Sequence, residues 1–270
     1  MKKGLEPLAS SRVALPGPEY YGFLEVACFD CPPFLMFTAN DCGRSESIIN
    51  NSYAEPESMR LWCHLCRTAT AIIDVGAQVG VFSLCAASVR DDVRIYAFEP
   101  NPYAYARLRV HKNINGFNNI VESRSATLNT AGCVNIAWWE KGKISSGTQI
   151  TPPTDNSEQR QVVIATSVRL DDALRDENLG DRILIKIDVE GSEYLTFAGM
   201  PQIVANRPDI ILETFAPAVC ERLNNELLPL GYKVWAIDET NRRLERLEKI
   251  TPADVKSKSF NCFLSVREEI

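Results

Sequence analysis

The sequence predicts an α/β domain built on a mostly parallel sheet with helices on both faces. Three observations carry this. Past residue 70, short apolar runs alternate with segments of helical spacing. The first run ends in a glycine-containing turn, IIDVGAQVG at 72–80, of the kind that joins a buried strand to a helix. The chain has 270 residues and is 45% hydrophobic, enough for one sizeable core.

The elements follow in chain order. Ala71–Val75 is a short apolar strand and Val79–Val89 a helix. RIYAF (Arg94–Phe98) reads as the second strand, Tyr103–Asn113 as a helix, and Asn118–Glu122 as a short third strand. Between Cys133 and Arg169 the alternation breaks. Val134–Trp139 and Val162–Val168 read as two strands around a polar loop rich in Gly, Pro and Ser. That loop is either a solvated hairpin connection or a cover for substrate. ILIKIDV (Ile183–Val189) is strongly strand-like, and Tyr194–Ala205 reads as one helix stopped by Pro208. Asp209–Leu212 is a strand, and Ala218–Leu230 a helix closed by Gly231. Tyr232–Ile237 and Phe260–Val266 are the last strands. Residues 1–66 form an N-terminal extension of hairpin and helix, a candidate active-site cover. Residues 67–270 form the main domain, with the hairpin inserted at about 133–169.

Composition narrows the partners. Lys and Arg number 29 against 35 Asp and Glu, a net charge of −6, which disfavours a nucleic-acid backbone. No run approaches the roughly 20 apolar residues of a membrane span. The start, MKKGLEPLASS, lacks an apolar signal core. Nine cysteines, several in apolar runs, fit reduced thiols and a cytoplasmic location. The oligomeric state is not readable.

The glycine turn departs from a dinucleotide fingerprint. Gly76 is followed by Ala77, Gln78, Val79 and Gly80, so the second glycine of G-x-G-x-x-G is missing. Asp74, two residues before Gly76, suits a ligand with a positive end better than a pyrophosphate. S-adenosylmethionine has such an end, a sulfonium and an ammonium. At the end of the second strand, YAFEPNP places Glu99 where an acid typically binds both ribose hydroxyls. The alternative is a solvated strand-end carboxylate.

Together, DVGAQVG, AFEPNP and KIDVEGSEY (186–194) resemble the FkbM family of S-adenosylmethionine-dependent methyltransferases. The resemblance covers about residues 50–266, including VRLDDAL (168–174) and PDIILETF (208–215). Gln78 departs from it, because the family usually carries Asn there. The resemblance implies the class I, Rossmann-like methyltransferase fold, a seven-stranded sheet with its last strand antiparallel. It implies O-methylation of a hydroxyl on a sugar, glycan or secondary metabolite. Asp74, Gly76 and Gly80 would lie near the methionine end of the cofactor, and Ala77, Gln78 and Phe82 would also bind the cofactor. Glu99 would meet the ribose, with Pro100 and Asn101 of the following turn also at the cofactor, and Ser125 and Ala126 would border the adenine. Tyr53 and Glu55 match a recurrent Tyr-Glu position that would cover the methionine end. Glu55-Pro56-Glu57 also suits a first helical turn.

Methyl transfer to an alcohol needs alignment and a base, or a metal that lowers the hydroxyl pKa. The two histidines, His64 and His111, lie on predicted helices away from the strand ends. Carboxylates are the candidates: Asp188 and Glu190 after the fourth strand, and Glu213 after the fifth. Residues i and i+2 of a strand share a face, so Asp188 and Glu190 would point together if the strand continued. Asp188 would also touch the cofactor, and Lys186 would pair with an acid. Asp188, Glu190, Glu193 and Glu213 have oxygens for magnesium, yet no D-x-D-H-like run accompanies them, and no metal is expected. CFDC (Cys28–Cys31) and CHLC (Cys63–Cys66) have zinc-like C-x-x-C spacing, but the pairs are far apart and their neighbours are apolar, so core packing is expected. CPPF (31–34) reads as a turn. The alternatives to an O-methyltransferase are a small-molecule N-methyltransferase and a non-catalytic cofactor-binding module of the same fold.

Overall fold

The computed structural model describes residues 20–27, 30–49, 53, 55–139, 144, 147–151, 160–253 and 261–267. An antiparallel hairpin, β1 (Tyr21–Val26) and β2 (Phe34–Ala39), comes first. Two helices follow, α1 (Gly43–Ile49) and α2 (Pro56–Cys66). The α/β alternation then begins with β3 (Ala71–Val75), α3 (Val81–Val89), β4 (Ile95–Phe98), α4 (Pro102–Asn115) and β5 (Ile120–Ser123). Every residue of β3 and β4 is buried, as expected of strands covered on both faces. Helix α4 shows why local sequence is enough here. Asn101 caps it, its Oδ1 accepting from the amides of Tyr103 and Ala104, Pro102 opens it, and Gly116 closes it in the left-handed conformation.

The second group of strands follows. After β6 (Ser125–Thr127), β7 (Gly132–Trp139) pairs antiparallel with β9 (Arg160–Val168), with β8 (Gln149–Ile150) on the outer side of β7. β6 joins β9 in parallel, completing a second, four-stranded sheet. Most of the polar loop lies outside the described residues.

The rest of the chain returns to the main sheet through α5 (Leu170–Ala173), β10 (Ile183–Ile187), α6 (Glu193–Ala198), α7 (Pro201–Ala205) and β11 (Asp209–Glu213). It ends with α8 (Pro217–Leu227), β12 (Lys233–Asp238), β13 (Arg243–Leu247) and β14 (Asn261–Ser265). The segment expected as one helix over 194–205 is two, because Pro201 lacks an amide hydrogen and crowds the turn before it.

The main sheet runs β13-β12-β14-β11-β10-β3-β4-β5. β14 is antiparallel to both neighbours, while β11, β10, β3, β4 and β5 are parallel. Eight strands stand where seven were expected. The extra strand is β13, an edge strand of sequence RLERL, whose charges hide it from a search for apolar runs and also blunt the sheet edge. Two cores fill the two faces of the sheet. On one face Phe34, Met36, Met59 and Trp62 of the N-terminal elements share a cluster with Ile72, Val79 and Leu84. The described residues between 20 and 66 therefore pack as part of the same body.

Candidate active site

Strand order reverses between β3 and β10, so the loops leaving their carboxyl ends diverge and open a cleft. The cleft is concave and lined by strand-end and loop residues of both sheets, as small-molecule sites commonly are. Its floor is the glycine turn. Gly76, Gln78 and Gly80 all have positive φ, at 82°, 52° and 92°. At Gly76 this is compulsory: a Cβ would lie 1.8 Å from the Asp188 carbonyl oxygen. The missing side chain lets the ends of β3 and β10 touch and leaves backbone facing the cleft. Gln78 accounts for its own oddity. A left-handed residue favours Asn, the residue usual in the resembled family, over Gln.

Glu99 is built into this turn. Its Oε2 accepts from the Gln78 amide at 2.8 Å and its Oε1 from the Asn101 amide at 2.7 Å. Burial pushes its carboxyl up to about 7 against the pull of those two amides. An ionised carboxylate has about four acceptor sites, so two remain for a diol.

Asp188 follows the last residue of β10. Its amide still bonds to the Val75 carbonyl, and its Oδ2 accepts from Lys186 Nζ at 2.9 Å. Burial works against its charge, but Lys186 and Arg44 outweigh it and hold the carboxyl below its ordinary range. Lys186 is 2% exposed, lies 4.6 Å from the centre of the Phe82 ring and stays charged through its acidic neighbours. Behind Asp188, Glu213 shares a hydrogen bond with it, and burial together with the Asp188 charge pushes Glu213 up to about 10. Glu213 therefore carries a proton at neutral pH. Arg44 of α1 donates to the Tyr53 hydroxyl at 3.1 Å and to Glu55 Oε1 at 2.7 Å.

Of the residues expected from sequence, Gly76, Gln78, Glu99, Pro100, Ser125, Ala126, Asp188 and Glu190 line the cleft. Several do not. Asp74 is turned into the core, where its Oδ2 accepts from Ser83 at 2.6 Å. Ala77 is buried with its amide on the Phe98 carbonyl. Gly80 packs against Leu108 as the N-cap of α3, and Phe82 packs on Trp62. Asn101 caps α4 and donates to Thr148 Oγ1 at 3.0 Å. Tyr53, Glu55 and Glu213 stand behind Arg44 and Asp188. Glu190 has φ of 52°, so the chain does not stay extended past Asp188 and the shared-face argument for this pair fails. Glu193 turns to the Gly191 amide. His64 is exposed on α2, and His111 is buried with ring nitrogens on the Val79 and Phe37 carbonyls.

Sequence reasoning missed Arg44, Ser192 and the hairpin residues Thr148, Gln149 and Ile150, all of which line the cleft. The substrate-cover reading of the hairpin pointed toward the last three without naming them.

Strand order, glycine turn and strand-end acid together define the class, a class I methyltransferase. A family model described as the methyltransferase FkbM domain matches residues 74–234. The chain belongs to this family and is an S-adenosylmethionine-dependent methyltransferase. Comparison with curated protein sequences gives no match. Among solved structures it is similar to a SAM-dependent methyltransferase from Agrobacterium tumefaciens, at 11% identity and TM-score 0.46, covering 95% of this chain and 72% of that one. It is similar to a SAM-dependent O-methyltransferase from Thermotoga maritima, at 11% identity and TM-score 0.43, covering 88% and 76%. It is also similar to precorrin-6y C5,15-methyltransferase from Geobacter metallireducens, at 13% identity and TM-score 0.42, covering 76% and 86%. No described helix is long and apolar enough to cross a membrane.

Proposed function

We propose that this enzyme methylates a hydroxyl group of a sugar, glycan or secondary metabolite. The observation that carries the reading is Asp188, which lines the cleft, has its backbone against Gly76 and keeps its carboxyl below the ordinary range beside Lys186 and Arg44. The cofactor supplies an electrophilic methyl on a sulfonium, whose sulfur leaves as a neutral thioether.

The chain's own residues do the rest. Glu99 holds the ribose diol, with its remaining lone pairs aimed into the cleft. Gly76 and Gln78 give backbone to the methionine end, and Ser125 and Ala126 border the adenine. Asp188 accepts the hydrogen bond of the acceptor hydroxyl, fixing the oxygen, and takes its proton. A carboxylate of low basicity suffices, because an alcohol oxygen becomes strongly acidic as it gains a third substituent, the methyl group, and with it a positive charge. Arg44, Glu190, Ser192 and Gln149 surround this end with donors and acceptors suited to a polyhydroxylated acceptor.

The test is single-turnover transfer of labelled methyl to a panel of sugars, glycans and hydroxylated metabolites, run beside titration with S-adenosylhomocysteine. Asp188→Asn should lower turnover about 100- to 10,000-fold while product affinity changes far less. Near-normal turnover in the variant removes Asp188 as the proton acceptor. Transfer only to amines replaces the hydroxyl reading with N-methylation.

A further inference from the structure

Away from the cleft, three cysteines from distant parts of the sequence meet. Cys31 lies in the connection between β1 and β2, Cys63 on α2 and Cys85 on α3. Their sulfur atoms all lie within 4.8 Å of one another. Cys63 and Cys85 are fully buried, whereas Cys31 is partly open to solvent. The C-x-x-C spacing thus misidentifies the partners. Cys63 groups with Cys31 and Cys85, and Cys66 is not of the set. Cys28 lies outside the described residues.

The spacing matches that of sulfurs around one metal ion. Metal–sulfur bonds of about 2.3 Å put sulfur atoms about 3.8 Å apart in a tetrahedral site and about 4.0 Å apart in a trigonal one. The Cys31 and Cys85 sulfur atoms are 3.8 Å apart, and Cys63 hydrogen-bonds both. A disulfide requires an approach to about 2.05 Å, so the Cys31–Cys85 separation suits a shared ion better than a bond between the two sulfurs. The donor set is thiols alone, which excludes magnesium and calcium and selects soft ions. Outer contacts are also in place. Ser88 hydrogen-bonds Cys31 and donates to the Cys85 carbonyl at 2.9 Å. Arg67 donates to the Asp30 carbonyl at 3.0 Å, beside Cys31, and its charge acts on Cys63. Three thiolates around a divalent ion carry one net negative charge, which this guanidinium offsets.

We infer that Cys31, Cys63 and Cys85 form a three-thiolate site for a closed-shell thiophilic ion, zinc(II) or copper(I). Binding exchanges the thiol protons for metal–sulfur bonds, and the protons pass to solvent. With zinc, the open side at Cys31 takes a water as fourth ligand. With copper(I), three sulfurs complete the shell. The ion would tie the N-terminal hairpin to α2 and to α3, the helix that begins at the cofactor turn.

The experiment is anaerobic titration of the reduced full chain with zinc(II) and, separately, copper(I), each against a competing chelator. Cobalt(II) serves as a spectroscopic probe. About one ion per chain is expected, with thiolate-to-cobalt charge-transfer bands. Outer-shell changes cost metal sites about 10- to 100-fold in affinity, so Cys31→Ser, Cys63→Ser and Cys85→Ser should each cost about 100-fold or more. Cys66→Ser and the exposed Cys133→Ser should leave affinity unchanged. Should the buried variants not fold, the wild type still decides. Stoichiometric metal should block alkylation of Cys31 but not of Cys133, and chelator should restore it. The site is refuted if neither ion binds stoichiometrically, if Cys66→Ser loses the ion as Cys63→Ser does, or if Cys31 alkylates equally with and without metal. Zinc and copper arms decide which ion the three sulfurs prefer.

Discussion

Cofactor affinity should depend on pH through Glu99, and the structure sets the size of the effect. The carboxyl is 5% exposed and burial raises it from 4.5 to about 7. Two of its acceptor sites are taken by the Gln78 and Asn101 amides. A ribose diol brings two donors, and only the ionised form can accept both. Cofactor binding through the proposed ribose contact would therefore select ionised Glu99. At pH 6 about a tenth of the free enzyme is ionised, so affinity for S-adenosylhomocysteine should fall about tenfold per unit below pH 7 and level off above about 8. Binding at pH 6 should release about one proton, visible in calorimetry as a dependence on buffer ionisation enthalpy. Glu99→Gln keeps the shape and loses the charge. Hydrogen bonds to charged groups contribute about 1.5–3 kcal/mol, so the variant should bind roughly 10- to 100-fold more weakly at pH 8. It should also lose the slope, which controls for titration of the ligand itself. A flat wild-type profile from pH 5.5 to 8.5, or the same slope in Glu99→Gln, would refute both the ribose contact and the reasoning from burial.

Two further substitutions probe the joint between β3 and β10. Gly76→Ala puts a Cβ 1.8 Å from the Asp188 carbonyl oxygen at a φ of 82°, so urea unfolding should show a loss of about 3 kcal/mol or more; wild-type stability would mean the strands do not meet this closely. Lys186→Met keeps the stem over Phe82 but leaves Asp188 with Arg44 alone, and should cost about 3 kcal/mol at pH 8. The wild-type carboxyl, held below its ordinary range, keeps its charge and the stability that goes with it down to about pH 4, whereas in the variant burial meets only Arg44, the carboxyl rises, and taking a proton as the pH falls relieves part of the penalty. The variant's deficit should shrink toward pH 5, and a deficit equal at both pH values would count against the ion pair.

The sheet was largely legible because its signals are local. Five-residue apolar runs, an Asn-Pro helix start and glycine stops each act within a few residues. The ends of elements were less so. The apolar pattern ran through Val189, yet β10 stops at Ile187 and Glu190 turns left-handed, since a backbone reversal leaves no mark on hydrophobicity. Glu99 was found because one residue type at one strand end has a narrow chemical use. Arg44 was not, because it sits on a seven-residue helix and owes its place to partners 9 and 11 residues on. Cys85 was overlooked for a related reason: a pattern of cysteine spacing sees pairs within one segment, and this grouping joins three.

The buried charges around Asp188 explain why the N-terminal segment belongs to the site. Lys186 and Arg44 are cationic, and Glu55 and Asp188 are held ionised beside them. Burial pushes Asp74, which accepts from Ser83 in the core, above its ordinary range, and burial with the Asp188 charge pushes Glu213 up to about 10. Two cations thus face two anions in a space that water barely enters, and the balance fails if either cation is removed. One of them comes from β10 itself. The other comes from α1 and is anchored through Glu55, whose second oxygen accepts from Asn261 of β14 at 3.1 Å. Glu239 at the end of β12 in turn accepts from the first amides of α2, fixing the helix that follows Glu55. The far side of the sheet thereby holds the segment that carries the second cation. Without Arg44 the same burial that now opposes the charge of Asp188 would meet only Lys186, and its carboxyl would rise. The charge of the proposed proton acceptor is a property of the folded N-terminal segment as much as of the strand on which it sits.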